Sequence, residues 1–219
     1  MKKILVSDPL AKEGIEVLKK NPEFSVDVKT GLTPEELLQI IGNYDGLLVR
    51  SETKVTEVIL NAAKNLKIIG RAGTGVDNID VKEASKKGIV VMNVPGGNTI
   101  SAAEHTVSML LALSRNIPQA NASLKKCEWK KKEFVGVEVF GKTAGIIGLG
   151  KIGIEVAKRL LAFGVKVLIY DPFVSKERAI QLGVESVSLD ELFTNSDYIT
   201  VHTPKTEQTK NLINSETIK

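Results

Sequence analysis

The chain has 219 residues, 42% of them hydrophobic and 26% charged, with a formal net charge of +4 and a sequence pI near 9.0, which fits a globular protein of one or two domains. Its one cysteine, Cys127, excludes an internal disulfide, and no apolar run reaches the roughly 20 residues of a membrane helix. Met1-Lys2-Lys3 has the charge of a signal-peptide start, but only Ile4-Leu5-Val6 precede Ser7-Asp8-Pro9, so a reducing cytoplasm is the expected setting.

Short apolar strands alternate with amphipathic helical patterns from the first residues, the signature of βα units and a parallel sheet. Strands are predicted at 3–6, 25–28, 46–49, 67–69 and 89–92. Helices are predicted at 11–19, 34–41, 56–63 and 81–87, with Thr33 capping the second and Pro34 in its first turn. Pro95-Gly96-Gly97-Asn98 then breaks the pattern, dividing the chain into domains at 1–94 and 95–219. The helix after it carries Ser101 and Glu104 at capping-box spacing, and His105 one turn in reads as a buried, hydrogen-bonded histidine. Ile100, Ala103, Val107, Leu110, Leu111 and Leu113 cover much of its circumference, so burial between domains or at a subunit interface is expected.

Residues 116–141 are polar and weakly periodic and read as an excursion, an arm laid over a partner subunit. The excess charge sits there: with Lys125, Lys126, Lys130, Lys131 and Lys132 set aside, 25 basic residues face 26 acids. A solvated loop or a contact with an anionic substrate or partner explains the cluster better than nucleic acid does, because no recognised nucleic-acid module accompanies it. A second βα series follows, with a strand at 143–147, a helix, a strand at 165–170, helices near 176–182 and 189–195, and a strand at 198–201.

Between the first two of these strands lies Gly148-Leu149-Gly150-Lys151-Ile152-Gly153. The first glycine permits a tight turn, the second lets backbone approach a pyrophosphate, and the third lets the helix pack on its strand, with the helix N-terminus facing the phosphates. Asp171 ends the next strand, 18 residues past Gly153. Its carboxylate can accept from both hydroxyls of an adenine ribose and repels a 2′-phosphate, so NAD is favoured over NADP. Strand, turn, helix, strand and acid together are far more specific than a bare GxGxxG match.

Taken together, Val49-Arg50-Ser51, Gly70-Arg71-Ala72-Gly73-Thr74-Gly75-Val76-Asp77-Asn78, Asn98 with Ser101-Ala102-Ala103-Glu104, the GLGKIG turn, Tyr170-Asp171-Pro172 and His202-Thr203-Pro204 resemble the D-isomer-specific 2-hydroxyacid dehydrogenases over essentially the whole chain. Arg50-Ser51 with Arg71 and the Pro-x-Gly-Asn turn look most like the branch that oxidises 3-phospho-D-glycerate to 3-phosphohydroxypyruvate with NAD, the first step of serine biosynthesis. The implied fold is a flavodoxin-like substrate-binding domain followed by a Rossmann NAD-binding domain incomplete at its C-terminal end. A glyoxylate/hydroxypyruvate reductase of the same family and a non-catalytic, NAD-sensing corepressor-like binding protein are the alternatives.

The resemblance implies that loops of the first domain cradle a small phosphorylated 2-hydroxy acid. Arg50 and Arg71 are expected at strand ends, where a guanidinium fork suits a phosphate, although either arginine alone also fits a surface ion pair. Ser51 belongs to the same implied loop. Gly73, Thr74 and Gly75 can present amides to the substrate carboxylate, since glycines allow close approach and φ above zero, and the resemblance implies that Thr74 touches both substrate and cofactor, although the same residues also fit a plain strand-to-helix turn. Asn98 adds an amide donor from the hinge, though asparagine beside glycines is also an ordinary turn residue. Thr203 and Pro204 are implied along the cofactor ribose, whereas His202 reads as satisfying a local hydrogen bond. No metal, nucleic acid or membrane is called for, and a homodimer or higher homo-oligomer is implied. The arginine, glutamate and histidine that the reaction needs would lie beyond Lys219, so the chain reads as a truncated enzyme, inactive alone.

Overall fold

The computed structural model describes residues 1–217; Ile218 and Lys219, the end of the second predicted domain, lie outside the described residues. The chain divides into two compact units, Met1–Gly97 and Asn98–Lys219.

The first unit is built from β1 (Lys2–Val6), α1 (Lys12–Lys19), β2 (Phe24–Val28), α2 (Pro34–Ile40), β3 (Gly46–Val49), α3 (Glu57–Ala62), β4 (Ile68–Arg71), α4 (Val81–Lys86) and β5 (Val90–Met92). All strand pairs are parallel, in the order β2-β1-β3-β4-β5. That is the flavodoxin-like order, whose switch point lies between β1 and β3. Leu5, Leu47, Val49 and Ile69 from the sheet and Leu37, Ile41, Ile59 and Leu60 from one face form its core. α2 starts where Thr33 and Pro34 indicate: Thr33 Oγ1 accepts from the Glu36 N–H at 3.2 Å, and the Glu36 carboxylate accepts from the Thr33 N–H at 2.8 Å.

The second unit contains α5 (Thr99–Ser114), α6 (Ile117–Lys125), β6 (Thr143–Ile147), α7 (Lys151–Ala162), β7 (Lys166–Tyr170), α8 (Lys176–Gln181), β8 (Glu185–Ser186), α9 (Leu189–Asn195) and β9 (Tyr198–Val201). Its sheet is parallel, in the order β8-β7-β6-β9. Counted within the unit this is 3-2-1-4, the first four places of the doubly wound nucleotide-binding order, with the switch point between β6 and β9. Ile146, Val156, Ala157, Leu160, Val167 and Ile169 fill its core, joined by Ala103 and Val107 of α5.

Several expectations are corrected. α5 begins before Ser101, with Asn98 at the N-cap, so Ser101 and Glu104 form no capping box; the Ser101 hydroxyl donates instead to the Asn98 carbonyl at 3.1 Å. His105 is exposed rather than buried, because the face of α5 that packs within this unit is the one bearing Ala103 and Val107. Of the apolar residues expected to bury α5 between domains or at a subunit interface, Ala103 and Val107 are buried in this unit, Leu110 and Leu111 pack partly against it, and Ile100 and Leu113 are exposed within the described single chain, which does not contradict that expectation. The supposed excursion contains α6, with Pro118 in its first turn. Gly73 and Gly75 do not adopt positive φ; a Cβ at position 75 would lie 3.0 Å from Arg71 Nη1 and 3.1 Å from Asp77 Oδ1, close enough that these side-chain ends would have to shift by a few tenths of an ångström.

Candidate functional site

In the first unit the candidate residues gather at the carboxyl ends of β1, β3 and β4. Arg50 follows β3 directly and is exposed, as is Ser51. Its guanidinium makes no hydrogen bond or ion pair with the described residues, whereas its backbone is held on both sides. The Arg50 N–H donates to Asp8 Oδ2 at 2.6 Å, and the Arg50 carbonyl accepts from Arg71 Nε at 3.0 Å and Asn78 Nδ2 at 2.9 Å. Arg71 ends β4 and turns inward: its side chain is 11% exposed, Nη1 donates to the Gly75 carbonyl, and the same nitrogen lies 3.5 Å from Asp77. A guanidinium has five N–H donors, so Nη2 remains for a ligand. The 73–75 loop is tied to the strand beyond it by the Val94 N–H on the Gly73 carbonyl at 2.9 Å and by Asn93 Nδ2 on the Thr74 carbonyl at 2.5 Å.

Two residues of this site carried no assigned role in the sequence. Asp8 is 1% exposed and Asn78 is 5% exposed. Asp8 lies two residues past β1 as a lone acid after Ser7, and its partners lie 42 to 45 residues away, which no local spacing rule reaches.

In the second unit β6 delivers the chain into the glycine turn and α7 leaves it. Gly148 has φ +94°, and a Cβ there would meet Thr203 Cγ2 at 2.8 Å and the His202 carbonyl carbon at 2.9 Å. A Cβ on Gly153 would collide with the Gly148 carbonyl oxygen, so the third glycine lets α7 sit against the turn. At Gly150 a Cβ would meet nothing of the protein within 4 Å. Open space above the one exposed glycine of the turn, at the amino end of a 12-residue helix, is what a pyrophosphate requires. Lys151 and Ile152 open that helix.

Asp171 Oδ2 accepts from the Leu149 N–H at 2.8 Å and Oδ1 from the Phe173 N–H at 2.9 Å. Each oxygen keeps a lone pair for a ribose hydroxyl, so the acid is both anchored and available. A cleft of about 340 Å³ joins Gly148, Gly150, Asp171 and Pro172 to His202, Thr203 and Pro204 beyond β9. His202 is half-buried; desolvation lowers its pKa from the ordinary value, favouring the neutral ring, and Nε2 shares a hydrogen bond with Thr200 Oγ1 at 3.0 Å. This is the local role expected of it. Asn98, the N-cap of α5, accepts the Ala102 N–H on its carbonyl at 2.9 Å.

Residues 107–219 match the family model described as the D-isomer specific 2-hydroxyacid dehydrogenase NAD-binding domain. The chain belongs to the D-isomer-specific 2-hydroxyacid dehydrogenases. The matched residues make up most of the second unit, and the turn, the open Gly150 and Asp171 within them fit NAD.

Among relatives of this chain, D-3-phosphoglycerate dehydrogenase from Synechocystis is 55% identical over 218 residues, covering 100% of the chain and 39% of the relative. The enzyme of the same name from Archaeoglobus fulgidus is 55% identical over 211 residues, covering 96% and 40%. The chain thus spans about 40% of the length of the curated relatives it matches. The structure of D-lactate dehydrogenase from Aquifex aeolicus complexed with NAD and lactic acid superposes with a TM-score of 0.86 at 32% identity, covering 98% of this chain and 64% of that one.

Proposed function

We propose that the chain is part of a cytoplasmic enzyme that oxidises 3-phospho-D-glycerate to 3-phosphohydroxypyruvate with NAD. The observation that carries this reading is Arg50, an exposed guanidinium with no hydrogen bond or ion pair to the described residues, at the β1/β3 switch point and on a backbone fixed by buried groups. A planar fork there suits a phosphate bidentately. Arg71 Nη2 and Ser51 Oγ supply further donors, and the first unit is then the substrate-binding domain. Gly73, Thr74 and Gly75 offer amides to the carboxylate, and Asn98 a side-chain amide.

In the NAD-binding unit, the amides of Gly150, Lys151, Ile152 and Gly153 receive the pyrophosphate behind the turn at Gly148. Asp171 accepts from the adenine ribose, and Thr203 and Pro204 line the second ribose. NAD supplies the acceptor for the hydride leaving C2 of the substrate; the residues of this chain bind and orient the partners. Neither histidine is assigned proton transfer, since His105 lies exposed on α5 and His202 is engaged with Thr200. A homodimer or higher homo-oligomer is part of the proposal, supported by Trp129, 77% exposed beside the lysine cluster.

The shared name of the curated relatives supports the phosphorylated substrate over glyoxylate, hydroxypyruvate or a corepressor role. The D-lactate dehydrogenase likeness shows that the fold alone does not choose among acids. With the full-length protein, NADH absorbance is expected to grow with NAD and 3-phosphoglycerate. Absence of growth with this acid, together with NADH consumption on glyoxylate or hydroxypyruvate, would move the chain to the reductase branch. Binding of NAD with no turnover of any of these acids would favour the corepressor-like role.

A further inference from the structure

Four consecutive residues, Arg50 to Thr53, are held by a buried carboxylate and a buried amide that the reading above does not use. Asp8 leaves β1 at the switch point. Its oxygens accept the N–H of Arg50 at 2.6 Å, of Glu52 at 3.2 Å and of Thr53 at 3.1 and 3.2 Å, together with the Thr53 hydroxyl. Ser7 Oγ reinforces the same point through Thr53 Oγ1 at 2.9 Å. From the opposite side Asn78 Nδ2 donates to the carbonyls of Arg50 at 2.9 Å and Thr53 at 2.7 Å. With three of its four N–H groups taken by Asp8 and two of its carbonyls by Asn78, most of the loop's polar backbone is engaged by buried groups, while Arg50, Ser51 and Glu52 face solvent.

A buried carboxylate is a poor device for stability alone. Desolvating it costs several kcal/mol, and well-packed apolar residues commonly serve a core as well or better. What such a group provides is a set of directed, charge-assisted hydrogen bonds that fix one loop conformation. We propose that Asp8, with Asn78, is a positioning residue for substrate anion recognition: it acts through the loop backbone to hold the Arg50 guanidinium toward the anionic group of the substrate. This rests on the assignment of Arg50 as the phosphate donor.

The test compares two substrates that differ only in the phosphate, 3-phosphohydroxypyruvate and hydroxypyruvate, both reduced with NADH by the full-length protein. Asp8→Asn keeps the shape and removes the charge. Its expected effect is a rise in KM for the phosphorylated acid of roughly ten- to hundredfold, the scale of a lost charge-assisted hydrogen bond. KM for NADH and kcat/KM for hydroxypyruvate should move by less than about threefold, and Asp8→Asn combined with Arg50→Ala should lose little more than Arg50→Ala alone. A merely structural aspartate would instead depress both substrates alike, which would overturn the proposal. If Asp8→Asn fails to accumulate as folded protein, Thr53→Val decides by removing one donor and leaving the carboxylate. A selective severalfold rise in KM for the phosphorylated acid supports the role, and equal losses on both acids end it. Should Arg50→Ala itself fail to change the preference between the two acids, the assignment of Arg50 falls and this inference with it. Should Arg50→Ala change it and Asp8→Asn not, only the inference falls.

Discussion

Gly148 and Gly150 stand two residues apart in one turn, yet a methyl group has opposite consequences at the two positions. At Gly148 it would enter at φ +94° against backbone of His202, so Gly148→Ala is expected to destabilise the fold by about 1–3 kcal/mol. At Gly150, where φ is −73° and nothing of the protein lies within 4 Å, Gly150→Ala is expected to leave the melting temperature unchanged and to weaken NAD binding by more than about tenfold. Thermal melting and calorimetric titration of the two variants separate these outcomes; a Gly150→Ala protein that binds NAD normally would remove the phosphate role of the turn. Both glycines were legible because the motif is local and its chemistry is backbone chemistry. Asp171 was legible for the same reason, at the end of the next strand. Asp8 was not, because a lone acid after a strand has no spacing partner and its importance arises only when β1 and β3 become neighbours. Nor could the sequence reveal that Arg71 spends Nε and Nη1 on the carbonyls of Arg50 and Gly75.

At the scale of elements, the parallel alternation could be read almost throughout, because each strand is a short apolar run and each helix a periodic one. β8 could not, since two residues, Glu185 and Ser186, carry no pattern and join the sheet only by pairing with β7. Helix starts show how a local signal competes with its surroundings. Ser101-x-x-Glu104 has capping-box spacing, but the Pro95-Gly96-Gly97 turn starts the helix earlier, with Asn98 as the cap. Ser188-x-x-Glu191 does form the box: Ser188 Oγ accepts from the Glu191 N–H at 3.2 Å, and Glu191 accepts from the Ser188 N–H at 2.9 Å. Ser188→Ala is therefore expected to cost about 1 kcal/mol in denaturant unfolding, and Ser101→Ala less than about 0.5 kcal/mol. Equal costs would mean that the two serines do not differ as caps.

At the scale of the whole molecule, both units place their candidate residues by one rule, beyond the carboxyl ends of parallel strands and next to the point where strand order reverses. In the first unit that point lies between β1 and β3 and holds Asp8 and Arg50; in the second it lies between β6 and β9 and holds Gly148 and His202-Thr203. Each unit closes its own core, Leu5, Leu47 and Ile69 in one and Ile146, Leu160 and Ile169 in the other. A ligand stabilises what it binds by RT ln(1 + [L]/Kd), about 2.7 kcal/mol at a hundredfold excess over Kd. Hydrogen exchange in saturating NAD is accordingly expected to slow at 147–153, 170–173 and 200–204 and through β6 and β7, while the strand amides of β1, β3 and β4 keep their rates, because separate cores open as separate cooperative units. Equal protection of both sheets would mean that the two cores open together, and protection confined to the first unit would place the cofactor away from the glycine turn.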